Sequence, residues 1–156
     1  MPGMQGAIIE AALLLWRLPL GDLLRFVKIS QSEINSVLKL YEGVMSYACH
    51  GLFYREGEAL GDRLAELCKG GGDMLECAKK ILIARGWVED IEFGDEEIKV
   101  RGSVEVADGS ESETCHRLRG ILSRLYQIAR RKEVRFIEVE CCSTGGKVCI
   151  FKPEVG

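Results

Sequence analysis

The spacing of apolar residues changes along the chain from a helical period to an alternating one. Between residues 31 and 86, apolar positions recur every three or four residues, which is typical of amphipathic helices. From residue 91 onward, apolar residues alternate with charged ones, which is typical of a half-buried antiparallel hairpin. Another helical stretch and a second pair of apolar runs follow. Because strands and helices do not alternate throughout, this order predicts an α+β fold, with helices packed on one face of a roughly four-stranded antiparallel sheet.

Local start signals place the first of these helices. Ser30 and Glu33 have the spacing of a capping box, in which each residue satisfies a backbone N–H at the helix start. The helix that begins there is predicted to run to about Cys49. Its apolar residues are expected to face the core together: Ile34, Val37, Leu38, Tyr41, Met45 and Ala48.

Two more helices are predicted before the first strand. One covers about residues 54–68 and contains Gly57 and Gly61, which lie four positions apart. Since each glycine costs up to ~1 kcal/mol in a helix interior, we expect a closely packed neighbour that requires a small surface there. The next helix is capped by Asp73 and ends at Gly86, the residue type preferred just beyond a helix C-terminus.

The second half of the chain predicts two hairpins separated by a helix. The first hairpin covers about residues 91–106 and turns at Gly94-Asp95. A helix follows a polar loop and extends over about residues 115–129. The last hairpin pairs residues 134–141 with residues 147–151 around a loop that contains two glycines.

The N-terminus suggests both a domain boundary and a partner. Residues 1–30 are predicted to form an N-terminal helical segment, and residues 31–156 a ligand-binding domain in one compact unit. The helix expected over residues 6–18 is apolar nearly all round, with Ile8, Ile9, Ala12, Leu13, Leu14, Leu15 and Trp16. A helix of this kind must be buried on several sides, which predicts a homodimer joined mainly through helices. The alternative is that this helix lies across the core of its own domain.

Composition narrows the class of protein. The formal net charge of −3 gives no general attraction to nucleic acid or anionic lipid. The longest apolar stretch is far shorter than the ~20 residues needed to span a bilayer. There are seven cysteines and no secretory leader, so we expect a reducing, cytoplasmic location where cysteines bind metal or fill the core rather than form disulfides. Cys68 and Cys77 fall on buried helical stripes and are expected to pack in the core.

Four of the seven cysteines lie near the C-terminus: Cys115, Cys141, Cys142 and Cys149. Zinc takes four ligands from thiolates, imidazoles and carboxylates. Glu138 is a carboxylate in an otherwise apolar strand, where a nearby cation would explain its burial. No CxxC pair occurs among these cysteines. The residues alone therefore support two interpretations equally: a metal site, or cysteines that fill space in the core as small hydrophobic residues.

The pleat of a strand constrains any such site. Residues 138 and 141 of a regular strand point to opposite faces. A site that includes both therefore requires a bulge between Val139 and Cys141, or a strand that ends before Cys141. If neither is present, Glu140 is the obvious substitute for Glu138.

The motifs resemble those of a known family, the 4-vinyl reductase domain, over about residues 40–153. They are, in order, Gly57-Glu-Ala-Leu-Gly61-Asp-Arg-Leu64, Gly86-Trp87, Cys115-His116 with Gly120, and Glu138-x-x-Cys141-x-x-x-Gly145-x-x-x-Cys149-x-Phe151. The last motif is the most specific. In phenol-sensing transcription activators that carry this domain, zinc is held by a cysteine, a glutamate and two more cysteines.

The resemblance implies one zinc ion on Cys115, Glu138, Cys141 and Cys149. Three thiolates and a carboxylate leave no open position for water, so such a zinc is structural rather than hydrolytic. Cys142 departs from the family pattern and is a competing ligand, and His116 is another alternative. The family also resembles vesicle-tethering trafficking subunits, whose helices cover one face of an antiparallel sheet and enclose an apolar pocket.

The function implied by this resemblance is a sensor or regulatory domain that binds a small hydrophobic or aromatic ligand. Trp87 is a candidate pocket residue, although core packing at the layer boundary explains it equally well. The alternatives are an accessory or catalytic component of a vinyl-group reductase, or a scaffold subunit. No residue is predicted to be catalytic, since the adjacent Cys and His of Cys49-His50 and of Cys115-His116 do not face each other on a helix.

Overall fold

The computed structural model describes residues 25–155 of the 156-residue chain. Within that range four α-helices and four strands follow in this order: α1 (Gln31–Met45), α2 (Ala48–Leu67), α3 (Met74–Ala84), β1 (Asp90–Phe93), β2 (Ile98–Arg101), α4 (His116–Arg130), β3 (Phe136–Glu140) and β4 (Cys149–Pro153). A short 3₁₀ turn, Cys142–Thr144, connects the last two strands. The helix predicted over residues 6–18 lies outside the described residues.

The four strands form one antiparallel sheet in the order β1-β2-β4-β3. Val100 of β2 pairs with Ile91 of β1 on one side and with Cys149 of β4 on the other. The predicted α+β fold, with helices on one face of a four-stranded antiparallel sheet, is therefore confirmed. The second strand of the first hairpin is shorter than predicted, because Gly102 adopts a φ of 67° and ends the pairing after Arg101.

The main core lies between the inner face of the sheet and helices α2, α3 and α4. Its members are almost fully removed from solvent and include Leu82, Ile91, Ile98, Leu118, Ile121, Leu122, Leu125, Phe136 and Phe151. Both hairpins and three helices contribute to this one cluster, so burial of apolar area holds the two layers together. No helix of residues 25–155 is long and apolar enough to cross a membrane.

Helices α2 and α4 make the most extensive contact between elements, and glycines permit it. A Cβ added to Gly57 would overlap the carbonyl oxygen of Arg117 and lie 2.8 Å from its carbonyl carbon. A Cβ on Gly120 would overlap the carbonyl oxygen of Tyr54, and one on Gly61 would lie 2.9 Å from Cβ of Arg124. The closely packed neighbour expected from Gly57 and Gly61 is therefore α4.

The helix starts predicted from capping residues are confirmed. Ser30 Oγ accepts from Glu33 N at 3.2 Å while Glu33 Oε2 accepts from Ser30 N at 2.7 Å, which completes the capping box. Asp73 Oδ1 accepts from the backbone N–H of Leu75 at 2.9 Å at the start of α3. At the end of α3, Gly86 has a φ of 81°.

The boundary between the first two helices differs from the prediction. Helix α1 stops at Met45, because Ser46 takes a φ of 52°. Helix α2 then begins at Ala48, so the segment expected to end the first helix instead starts the second one. No glycine or proline marks this turn in the sequence.

The predicted inward face of α1 is wrong for most of its members. Leu38 is the one buried residue of the helix, whereas Val37, Tyr41 and Met45 are 37–43% exposed. The physical reason is that α1 contacts the domain along a narrow line, through a small cluster of Leu38 with Cys49 and Phe53 of α2. The apolar period correctly predicts a helix here, but not a face buried in the core.

Cys68 lies in the core and Cys77 packs against it, as predicted, but the expectation that the cysteines form no disulfide is wrong. They form a disulfide with a Cα–Cα distance of 5.8 Å, within the range that such a bond requires. Cys68 caps the end of α2, and Cys77 lies in the first turns of α3. Three consecutive glycines with positive φ, Gly70 to Gly72, reverse the chain between them and bring the two thiols together.

Candidate metal centre

Four potential metal ligands meet where the last hairpin touches the start of α4. Cys115 is the residue just before α4, Glu138 lies in β3, Cys141 follows β3, and Cys149 begins β4. One ligand atom from each residue lies within 4.8 Å of those from the other three. The three cysteines are buried and Glu138 is half-buried. The structure thus brings together the four residues named from the sequence.

An irregularity in β3 makes this convergence possible. Glu138 pairs with Phe151 and Glu140 pairs with Ile150, so the register shifts and Val139 is an extra residue, as in a β-bulge. Cys141 lies one residue beyond the strand end. The strand thus has both the bulge and the end before Cys141, either of which allows Glu138 and Cys141 to reach the same site.

The remaining candidate ligands lie outside the cluster. Glu140 is exposed, and its carboxylate accepts the backbone N–H of Lys147 at 3.4 Å. Cys142 is half-buried, and it contributes its backbone N–H, which donates to Cys149 Sγ at 3.5 Å. The ring of His116 stacks on that of His50 with centroids 3.8 Å apart, and neither nitrogen belongs to the cluster.

The cluster has the dimensions and the donor set that zinc requires. The sulfurs of Cys115 and Cys149 are 3.9 Å apart, and a tetrahedral site with Zn–S bonds of ~2.3 Å places its sulfurs ~3.8 Å apart. Glu138 Oε1 accepts from Cys115 N at 3.3 Å, but its other oxygen, Oε2, is buried without a hydrogen-bond partner among the described residues. A buried carboxylate oxygen without a partner is costly, and a cation at this position would remove the cost.

Protonation of the four groups is strongly coupled. Burial, with repulsion from Cys141, raises the pKa of Glu138 to about 9. Hydrogen bonds from the thiols of Cys115 and Cys149 hold the pKa of Cys141 well below its usual range, and the same contacts raise the pKa of Cys115. Acidic groups this close cannot all ionise unless a cation offsets their charge. The arrangement therefore favours metal binding coupled to release of protons.

A buried carboxylate that the sequence did not identify supports the start of α4. Glu105 is 3% exposed, and it accepts the backbone N–H of Leu118 at 2.8 Å and that of Arg117 at 3.2 Å. It thereby caps α4, where the side chain of Cys115 makes no capping bond. Burial raises the pKa of Glu105 to about 7. The alternation of Val104, Glu105 and Val106 predicted an outward strand residue, so no sequence signal indicated this role.

The side chains of both Cys/His dyads have other partners. His50 Nε2 lies 2.7 Å from Glu42 Oε1, while Cys49 Sγ donates to Ser46 O at 3.2 Å. Burial lowers the pKa of His116 to about 3, so this ring is neutral at physiological pH. The ring of His116 instead stacks on that of His50, away from the thiol of Cys115 in the metal cluster.

Trp87 lies at the junction of α3 and the sheet. It is half-buried and packs against the main core. Its backbone N–H donates to Leu82 O at 3.0 Å and its carbonyl accepts from Val104 N at 2.9 Å. Trp87 does not line the surface cleft of about 860 Å³ beside α4 and β3, whose walls include Tyr54, Tyr126, Arg130, Val134, Arg135 and Phe136.

Comparison with known families adds to this geometry. Residues 97–154 match the family model of the 4-vinyl reductase domain. This stretch contains all four residues of the cluster together with β2, α4, β3 and β4. The resemblance to the 4-vinyl reductase domain is thus confirmed. The match includes the final motif, which the sequence indicated as the most specific.

Two solved structures align with nearly the whole length of the chain. One is the phenol-responsive sensory domain of the transcription activator PoxR, solved with phenol, with a TM-score of 0.71 and 20% identity over 98% of this chain and 91% of that one. Another is a vinyl-4-reductase family protein from Methanocaldococcus jannaschii, with a TM-score of 0.58 and 19% identity over 98% and 92%. No curated protein matches the chain significantly. At these identities, the similarity establishes the fold.

Proposed function

We propose that this chain is a zinc-containing sensor domain for a small hydrophobic or aromatic molecule. The observation that carries the proposal is the similarity over 98% of the chain to a sensory domain solved with phenol. The cleft beside α4 and β3 has a volume of about 860 Å³ and three aromatic rings, but most of its other lining residues are charged, so the proposal rests on the similarity and not on this cleft.

Zinc would be held by Cys115, Glu138, Cys141 and Cys149. Because these four residues fill a tetrahedral shell, the ion would supply structure rather than activate water. It would join the β3–β4 hairpin to the start of α4. The buried Oε2 of Glu138, which has no partner among the described residues, and the 3.9 Å separation of two of the sulfurs support this assignment.

Metal analysis tests the zinc proposal. After extensive dialysis, we expect about one zinc per chain by elemental analysis. Glu138→Gln should weaken zinc retention at least tenfold against a competing chelator, because the amide carries no charge. Glu140→Gln is the matched control, since Glu140 lies outside the cluster, and it should retain zinc normally. A folded protein that contains no metal would refute the proposal, and equal loss in both variants would refute the assignment of Glu138.

Ligand binding is tested separately, with phenol as the probe. We expect calorimetric binding of phenol by the zinc-loaded chain, and at least about tenfold weaker binding of cyclohexanol, which has the same size and hydroxyl but no aromatic ring. Native mass spectrometry of the purified protein would reveal a resident ligand. If phenol and a panel of substituted phenols and other small aromatics all fail to bind, the sensor proposal fails, whatever the zinc content.

A component of a vinyl-group reductase is the alternative function. It is supported by the family name of the Methanocaldococcus jannaschii protein. The closed ligand set of the cluster favours the sensor, because a zinc with four protein ligands has no position for a substrate. An absorbance spectrum that contains a flavin or iron–sulfur chromophore would favour the reductase instead.

We also propose that the sensor is a homodimer joined through helices. The apolar residues of the N-terminal segment motivated this prediction, and the exposed apolar side chains of α1 now add to the surface that needs a partner. Light scattering at micromolar concentration should give about twice the chain mass of 17.3 kDa. A mass of one chain over the whole concentration range would refute the dimer.

A further inference from the structure

Helix α1 presents a continuous apolar stripe to solvent. Its members lie at spacings of three, four, seven and eight residues, which places them along one side of the helix. We call the following five residues the α1 stripe, with their exposed fractions: Val37 38%, Leu40 63%, Tyr41 43%, Val44 75% and Met45 37%. None of them carries a charge, so burying the stripe has no desolvation cost from ions.

The opposite contacts of α1 hold this stripe in a fixed position. Leu38 is buried against α2, and Glu42 Oε1 lies 2.7 Å from Nε2 of His50 on that helix. Asn35 Nδ2 donates to Val106 O at 3.2 Å. Contacts at both ends and the middle of α1 thus attach it to the domain. Tyr41 lies at the edge of the stripe, where its ring also meets that of Phe53 of α2 with centroids 5.7 Å apart, whereas Leu40 and Val44 are the most exposed members.

The size of the exposed surface approaches what a specific interface requires. Tyr47, two residues beyond the helix end, is also 60% exposed, and its ring packs against that of His50. At roughly 200 Å² for a fully exposed large side chain, the stripe and Tyr47 together expose on the order of 600 Å². Specific interfaces bury roughly 600–1,000 Å² on each partner, so this surface is at the lower end of that range.

We propose that the α1 stripe is covered by the same stripe of a second copy of this chain. This inference rests on the homodimer proposed above and names its interface. A two-fold interface requires a self-complementary patch, and an uncharged helical stripe meets that requirement because each stripe can pack against its symmetry mate. The positions Val37, Leu40 and Val44 also repeat with the three–four spacing of packed helix pairs.

Aspartate substitutions on two sides of α1 test the interface. We expect Leu40→Asp and Val44→Asp each to raise the dimer dissociation constant at least about a hundredfold, since a carboxylate would be buried among apolar groups without a partner. Lys39→Asp is the matched control on the polar side of the same helix, because its neighbours three and four residues away lie outside the stripe, and it should change the constant less than about threefold. Light scattering and sedimentation from 0.5 to 100 µM measure the constants, and far-UV circular dichroism verifies that each variant is folded.

The outcomes separate failure of the interface from failure of the dimer. A wild-type chain that is monomeric at all concentrations refutes both proposals. A wild-type dimer that Leu40→Asp and Val44→Asp leave intact refutes the α1 interface while the homodimer stands. If either variant fails to fold, Val44→Lys replaces it, because Val44 is the most exposed member of the stripe.

The main rival occupant is the apolar stretch of residues 7–20 of the same chain. Trp16 lies in that stretch, and Trp87 is the other tryptophan of the sequence. In a Trp87→Phe background, fluorescence therefore reports on Trp16 alone. We expect Leu40→Asp to dissociate a wild-type dimer. A monomer whose emission shifts to the red on Leu40→Asp would overturn the proposal in favour of the rival.

Discussion

Replacement of Gly57 by alanine tests whether the close approach of α2 and α4 stabilises the domain. The new Cβ would overlap the carbonyl oxygen of Arg117 and lie 2.8 Å from its carbonyl carbon. These are backbone atoms, so no side-chain rotation relieves the overlap and the two helices must move apart. Alanine gains about 1 kcal/mol over glycine from helix propensity, whereas extra atoms forced into a close interface cost about 3 kcal/mol when backbone must shift. We therefore expect a net destabilisation of about 2 kcal/mol.

Gly51 of the same helix provides a matched control. A Cβ added there meets no atom within 4 Å, so Gly51→Ala should be neutral or stabilise the protein by up to about 1 kcal/mol. Urea unfolding followed by circular dichroism measures the unfolding free energies of both variants. At about 3 °C per kcal/mol, their melting temperatures should differ by roughly 6–9 °C. If Gly57→Ala is as stable as Gly51→Ala, the packing argument is refuted.

Three further changes have defined expectations. Burial raises the pKa of Glu105 from 4.5 to about 7. Between these two pH values, the folded state therefore holds a proton that the unfolded state has lost. The resulting stabilisation is complete below pH 4.5 and is lost as pH rises through 7. Relative to Glu105→Gln, the wild type should therefore lose up to about 3 kcal/mol between pH 4.5 and 7.5 in urea titrations, and parallel curves would contradict this. Asp73→Ala should cost about 1 kcal/mol in unfolding free energy, measured by urea denaturation, through loss of the α3 cap. Cys149→Ser should lower the melting temperature of the zinc-loaded chain by several degrees, whereas Cys142→Ser, outside the cluster, should not.

The sequence predicts a helix boundary only where residues close to it in the sequence determine that boundary. The starts at Ser30 and Asp73 were predictable because capping depends on residues three positions apart. The end of α1 was not, because Ser46 takes a positive φ without a glycine to mark it. The spacing of apolar residues in α1 predicts that one side of the helix will be buried, but it does not tell whether the core of the same domain or another surface covers that side. Its apolar side, expected in the core, therefore lies largely on the surface.

The candidate site was predictable in its members but not in its surroundings. Cys115, Glu138 and the two later cysteines belong to a motif whose spacing is specific, and the pleat of β3 alone requires a bulge or an early strand end. Glu105 was missed because an alternating pattern cannot distinguish a solvent-facing carboxylate from one that turns inward to cap a distant helix. The Cys68–Cys77 disulfide was missed because positions on two helical stripes do not reveal that a loop brings them together.

The start of α4 is positioned from three directions at once, and this links the candidate metal centre to the fold. Gly57 lets α2 approach the backbone of Arg117, Glu105 accepts the N–H groups of Arg117 and Leu118, and Cys115 lies in the cluster one residue before the helix. All three contacts fall within a single helical turn. Because closely packed interiors transmit strain, we expect a change at one of these contacts to affect the other two. Zinc at the cluster would then set the geometry of the α2–α4 contact as well as that of the last hairpin.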